Sequence, residues 1–177
     1  MIYKNEYGKV DLLSKQFLQS LKSNKGVIGA KLSGGSDTAL LLYLLAKEIQ
    51  ERNLNFSILP YTFLDKPDRN IVAQMIIDEV KNNFPKVSFE KHFYTELTIP
   101  YRDVWNESAM KLSKEYDIVF FTNAVNKSPP MEIVSNKELA KMVSSENALR
   151  NYDTKDLEYL GIYDTPEYKP FEHVDKR

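Results

Sequence analysis

The sequence predicts an α/β protein: a doubly wound, Rossmann-like parallel sheet of about five strands with helices on both faces. Three observations carry that expectation. Strand-like apolar runs alternate with helix-like stretches from residue 27 to residue 122, the pattern of successive β-α-β units. The runs at 27–32 and 117–122 are apolar on both faces, as strands covered by helices on both sides must be. Between the first of these and the next helix stands Ser33-Gly34-Gly35-Ser36, a glycine-rich turn at the sheet edge where such folds bind ligands.

Taken in order, residues 9–23 place Val10, Leu13, Phe17 and Leu21 on one helical face, so a packing helix is expected, closed by Gly26. Val27–Leu32 is the first central strand. Residues 37–52 form a helix that is apolar nearly all round and should be largely buried. Phe56–Phe63 is the second strand, with Pro60 expected to end its regular part. Asp68 caps a helix over 69–83, which Phe84-Pro85 stops. Val87–Tyr94 alternates as a third, edge strand, leaving His92 on its solvated face. A helix over 103–116 and a strand over 117–122 follow. Ser135-Asn136-Lys137-Glu138 is a capping box opening a helix to Arg150. The whole of 1–177 reads as one domain, with a core over about 27–130 and an extension over 131–177.

Composition narrows the chemistry. Among 177 residues there is no cysteine, so this chain can supply no thiolate nucleophile, redox dithiol or Cys-ligated zinc. A formal net charge of -1 gives no global attraction to nucleic acid. No run is long enough to span a bilayer, and the first residues lack the apolar core of a signal peptide; a cytoplasmic protein is expected.

The stretch Lys31-Leu32-Ser33-Gly34-Gly35-Ser36-Asp37-Thr38 holds the candidate chemistry. Glycines let the backbone turn sharply and approach a ligand. The amides of the loop and of the first helical turn then converge on one anion. No lysine follows the glycines, so this is not a Walker A loop. Asp37 suits a helix N-cap or a ligand to magnesium carried by a nucleotide.

Ser33-Gly34-Gly35-Ser36-Asp37-Thr38 resembles the S-G-G-x-D-[ST] signature of the PP-loop ATP pyrophosphatases, with HUP-type fold. Two weaker likenesses, Asn126–Pro130 and Lys169–Lys176, point toward the branch holding 7-cyano-7-deazaguanine synthase and phosphoadenylylsulfate reductase. This chain lacks the zinc-site cysteines of the first and the catalytic cysteine of the second. The resemblance implies that ATP binds at Ser33, Gly34, Gly35, Ser36, Asp37 and Thr38, with Mg2+ held at Asp37. It implies that adenine lies against main chain at Tyr61, Thr62 and Phe63, with Asn123 near ribose or substrate. ATP would be cleaved to AMP and pyrophosphate to adenylate a small molecule or nucleobase, with Asp37 and Lys127 in catalytic roles.

Lys31, Lys66, Arg69 and Lys127 are the basic residues placed near the cradle by loop position, and Asp65, Asp68 and Asp103 are further candidates for magnesium. The competing expectation is a nucleotide-binding or interaction module without turnover, or one subunit of a split enzyme. Residues 165–177 are expected to dock on another subunit, a homodimer mate or a separately encoded partner, because Phe171 and Val174 would otherwise lie exposed. Membrane and nucleic-acid partners are not expected.

Overall fold

The computed structural model describes residues 2–5, 8–64, 68–96, 101–122, 124, 167–168 and 170–171. Its centre is β3 (Lys25–Lys31), a strand with β4 (Asn55–Leu64) on one side and β7 (Ile118–Thr122) on the other. Beyond β4 lie β5 (Ser88–Phe89) and β6 (Phe93–Glu96); beyond β7 lies β8 (Glu167–Tyr168). Every pairing in this sheet is parallel. The chain moves outward from β3 through β4 to β5 and β6, then returns to the other side of β3 at β7. Strand order therefore reverses between β3 and β7, as the doubly wound expectation requires.

Helices cover both faces. Leu41, Leu45 and Ile49 of α2 (Ser36–Glu51) and Ala73, Ile77 and Val80 of α3 (Arg69–Asn83) pack on Ile28, Ile58 and Phe120. On the other face, Val104, Ala109 and Leu112 of α4 (Tyr101–Glu115) pack on Val27, Leu59, Tyr61, Phe63 and Phe121. The alternation of β4 side chains explains the division: Phe56 and Ile58 serve one core, Leu59, Tyr61 and Phe63 the other. α2 is less enclosed than its composition suggested, since Leu40 and Tyr43 are exposed. Among the described residues no helix is long and apolar enough to cross a membrane.

Several expectations are corrected. The helix expected over 9–23 is a hairpin of β1 (Ile2–Asn5) and β2 (Gly8–Asp11) followed by a short α1 (Lys15–Ser20). Leu12 and Leu13 are both fully buried, and Leu13 has φ of 47°. A turn there buries two successive side chains, which one face of an amphipathic helix does not. Gly26 ends no helix; it lies in β3 with φ of 133°, where a Cβ would meet Val119 Cγ2 at 2.6 Å. Asp68 stands at the N-cap of α3 in the left-handed region and makes no side-chain cap bond.

The strand expected over 87–94 is two short strands, and β4 continues through Pro60. These have one cause. Ile58 O accepts from Glu90 N–H and Tyr61 O from Leu32 N–H, so even-numbered β4 residues direct their main-chain groups away from β3. Pro60 thus turns its missing donor toward the gap between β5, which pairs at Ser57 and Ile58, and β6, which pairs from Tyr61 onward. No ladder bond is lost there.

One premise of the C-terminal expectation, an exposed Phe171, is corrected. β8 pairs with β7, and Phe171 is 5% exposed within this chain's own core. Phe171 needs no second subunit to cover it. Val174 and the Ser135–Arg150 helix lie outside the described residues.

Candidate functional site

At the end of β3, Leu32 N–H donates to Tyr61 O at 2.8 Å, extending the ladder one residue before the chain leaves the sheet. Ser33 and Gly34 turn it, Gly34 with φ of 75°, and Gly35 is the N-cap of α2 in extended conformation. The helix thus starts beside the β3–β7 crevice, the point where ligands sit in such sheets.

Thr38 organises the turn. Its hydroxyl has one proton, donated to Gly35 O at 3.0 Å. The same oxygen therefore accepts from Ser33 N–H and from Ser33 Oγ, each at 3.2 Å. One buried hydroxyl, 8% exposed, ties both ends of the loop together. Gly35 offers no side chain to cap α2, and Gly35 and Ser36 face solvent. The loop is held from within while the amide end of the helix stays accessible.

Asp37 is in the first turn of α2 and does not cap it, a correction to the N-cap alternative. One carboxylate beside a glycine turn is a donor set that would suit magnesium brought in with a phosphate ligand, since that ion is held through few carboxylates and substrate phosphates. Among the described residues no three His, Cys, Asp or Glu gather as a metal site. The first turn of α3 closes against the loop: a Cβ on Gly34 would lie 3.5 Å from Val72 Cγ1 and 3.9 Å from Arg69 Cγ. Of the two basic candidates among the described residues, Arg69 has its side chain against Gly34, and Lys31 ends β3 just before the loop. Asp65, Lys66, Asn123 and Lys127 lie outside the described residues, and of Asp103 only its place in α4 is described.

Tyr61, Thr62 and Phe63 are all buried. Tyr61 and Phe63 project into the α4 core, so their rings are packing residues and not surfaces for a base. Their main chain is better placed, since Thr62, Phe63 and Leu64 run past Lys31↔Tyr61, the last pair with β3. β4 thus overhangs its neighbour beside the cradle.

His92, expected to be solvated, is half-buried. Gln74 Nε2 donates to Asp78 at 2.8 Å, which turns Gln74 Oε1 to His92 Nδ1 at 3.2 Å. Nδ1 then carries the proton, and Nε2 accepts from the buried Thr62 hydroxyl at 2.9 Å. Burial, with the Lys81 charge adding to it, holds the imidazole pKa below its ordinary value. Nothing local in the sequence marks this chain of bonds, because Thr62, Gln74 and His92 come from three elements. The same is true of Glu48, fully buried on α2, which accepts from Arg52 at 3.0 Å and Tyr3 at 3.1 Å and pins the hairpin to the helix.

The architecture is that of a Rossmann-like, doubly wound α/β domain, and a known structure shares it. A U34-tRNA thiolase, NcsA from Methanococcus maripaludis with its [4Fe-4S] cluster, is similar with a TM-score of 0.51 at 16% identity, over 87% of this chain and 53% of that one. This chain thus spans about half the length of the thiolase. A protein of the universal stress protein family from Burkholderia pseudomallei aligns over 84% of this chain and 98% of its own, at 11% identity and a TM-score of 0.43. No protein-family model matches the sequence, and no curated protein matches it. The likeness is one of fold.

Proposed function

We propose that this chain binds ATP, with its phosphates in the Ser33–Thr38 cradle and its adenine against the β4 overhang at Tyr61, Thr62 and Phe63. It then cleaves ATP between the α and β phosphates to adenylate a small molecule or nucleobase. The observation that carries this reading is the cradle: a glycine turn locked by Thr38, opening on the uncapped end of α2 at the point where strand order reverses. The signature at those residues and the fold shared with a tRNA thiolase support it.

A substrate oxygen attacks the α-phosphorus, the bond to the bridging oxygen breaks, and pyrophosphate leaves with the electron pair. The chain's task is to hold the leaving group and neutralise its growing charge. Amides of residues 34–37 and the Arg69 side chain beside them supply donors, and Asp37 would hold magnesium brought in with the nucleotide. Lys127, which follows β7 in the sequence, is the further basic residue assigned a catalytic role. With no cysteine in the chain, the cluster chemistry of the thiolase has no ligands here, so an oxygen or nitrogen acceptor is favoured.

Calorimetry with ATP and magnesium tests binding, and chromatography of the products tests cleavage. AMP and pyrophosphate are expected; ADP and phosphate as the products would refute the assignment. ATP bound without turnover in the presence of candidate acceptors would favour the binding-module reading.

A further inference from the structure

On the outer side of α3 the fold leaves a shallow groove of about 310 Å³, lined by Asn70, Ile71, Gln74, Met75, His92 and Tyr94 together with Asp78. Its walls are the most exposed large apolar side chains of this region: Met75 is 66% exposed, Ile71 and Tyr94 54% each. On a helix, residues 68, 71, 72, 75, 78 and 79 share one face through spacings of three and four. That face has Ile71, Val72 and Met75 at its middle and Asp68, Asp78 and Glu79 around them, all exposed. Of the α3 cations, Arg69 stands against the glycine loop, while Lys81 lies over the Phe89 ring at 5.4 Å and its charge reaches the groove only at His92, away from Asp68 and the Ile71–Val72 end. The result is an apolar stripe edged by acid.

From this charge pattern we infer that the α3 face is a docking surface for a cationic amphipathic helix of another protein. Leucine-like side chains would enter between Met75 and Tyr94, and lysine or arginine would meet Asp68, Asp78 and Glu79 at the rim. A second copy of this chain is the poorer fit, since a two-fold contact through α3 would set acid against acid. Nucleic acid and an anionic bilayer are repelled for the same reason. The partner would lie against the helix whose first turn packs on Gly34.

The probe is a synthetic helical peptide of about 15 leucines and lysines, titrated into the full chain by fluorescence anisotropy, with methyl NMR of Ile71 and Met75. Saturable binding that shifts those methyls is expected. Ile71→Ser with Met75→Ser, both exposed and so tolerated by the fold, should weaken it about tenfold. Asp78→Lys with Glu79→Lys should do the same, and raising salt from about 50 to about 500 mM should weaken binding further. Met110→Ser, on α4 across the sheet, should leave binding unchanged. The inference is overturned if the peptide fails to bind, if the serine pair binds it as well as wild type, or if a leucine–glutamate peptide binds equally. Light scattering that shows self-association lost in the serine pair would also overturn it, assigning the face to a second copy.

Discussion

The two glycines of the cradle should answer differently to the same substitution. Gly34 has φ of 75°, in the left-handed region, and the space for a methyl is ordinary: Val72 Cγ1 would lie 3.5 Å away. Gly34→Ala therefore meets backbone strain of about 1–2 kcal/mol, partly offset by a stiffer unfolded chain. A net loss of about 1 kcal/mol is expected. Gly35 has φ of -89° and ψ of 161°, which any residue adopts, and a Cβ there meets Ser33 Oγ at 3.4 Å. Gly35→Ala loses some N-cap preference and gains unfolded-state stiffness, each under about 1 kcal/mol, so stability should stay within about 0.5 kcal/mol of wild type. Ligand binding should rank them the other way. Gly35 is exposed at the mouth, so Gly35→Val should leave the fold intact and weaken ATP binding at least about tenfold by blocking backbone approach. Urea melts give the stabilities and calorimetry the affinities. If Gly35→Ala proves the costlier for folding, or Gly35→Val binds ATP like wild type, the geometry assigned to the cradle is wrong.

Thr38→Val keeps the side-chain shape but strands Ser33 N–H and takes one of two donors from Gly35 O, which still accepts from Ala39 N–H at 3.1 Å; a loss of about 1–3 kcal/mol is expected in urea melts, with Thr38→Ser near wild type. Arg52→Met leaves the fully buried Glu48 without its cation and should cost about 3 kcal/mol, against about 1 kcal/mol for Tyr3→Phe. His92 has its folded pKa lowered, so the unfolded chain takes up the proton first. Its contribution is present above about pH 6.5 and is lost as pH falls through that value toward the folded pKa. Urea midpoints should therefore drop from about pH 7.5 to about pH 5.5, and His92→Gln should flatten that part of the profile.

The parts of the fold legible in the sequence are those whose signal is local. The apolar runs of β3 and β7, the long helices α2 and α3 and the turn at Gly34 and Gly35 need no distant partner to be recognised. What was illegible depends on neighbours across space. Pro60 looks like a strand end until β5 and β6 are seen to leave a gap opposite it. His92 looks like a surface residue until Thr62 and Gln74 close on it. Phe171 looks like an exposed anchor until it is seen in this chain's core. Within the cradle, residue types announce a phosphate loop, yet the role of Thr38 as the tie between Ser33 and Gly35 is a matter of geometry. Val72 and Arg69, which close the loop from α3, carry no mark of it in sequence.

Gly29 shows the same dependence in the middle of β3. It pairs with Phe121 across β3 and β7, and a Cβ there would overlap Phe121 Cδ1 and stand 2.7 Å from Cε1. The ring cannot easily yield, being 1% exposed and set edge-on to Tyr61 at 6.0 Å. Gly29→Ala must then displace either the ring or the strand, a cost of about 1–3 kcal/mol of overpacking. Because β3 carries the Ser33 loop at its end and β3 and β7 flank the switch point, parting them also shifts the loop relative to β7, so ATP affinity should fall with stability. Phe121→Leu removes the atoms in conflict. Combined with Gly29→Ala it should restore affinity and give a stability loss smaller than the sum of the two single changes by about 1 kcal/mol or more. Additivity within about 0.5 kcal/mol would mean that the ring does not press on Gly29. An affinity unchanged in Gly29→Ala would mean that the spacing of β3 and β7 does not set the cradle.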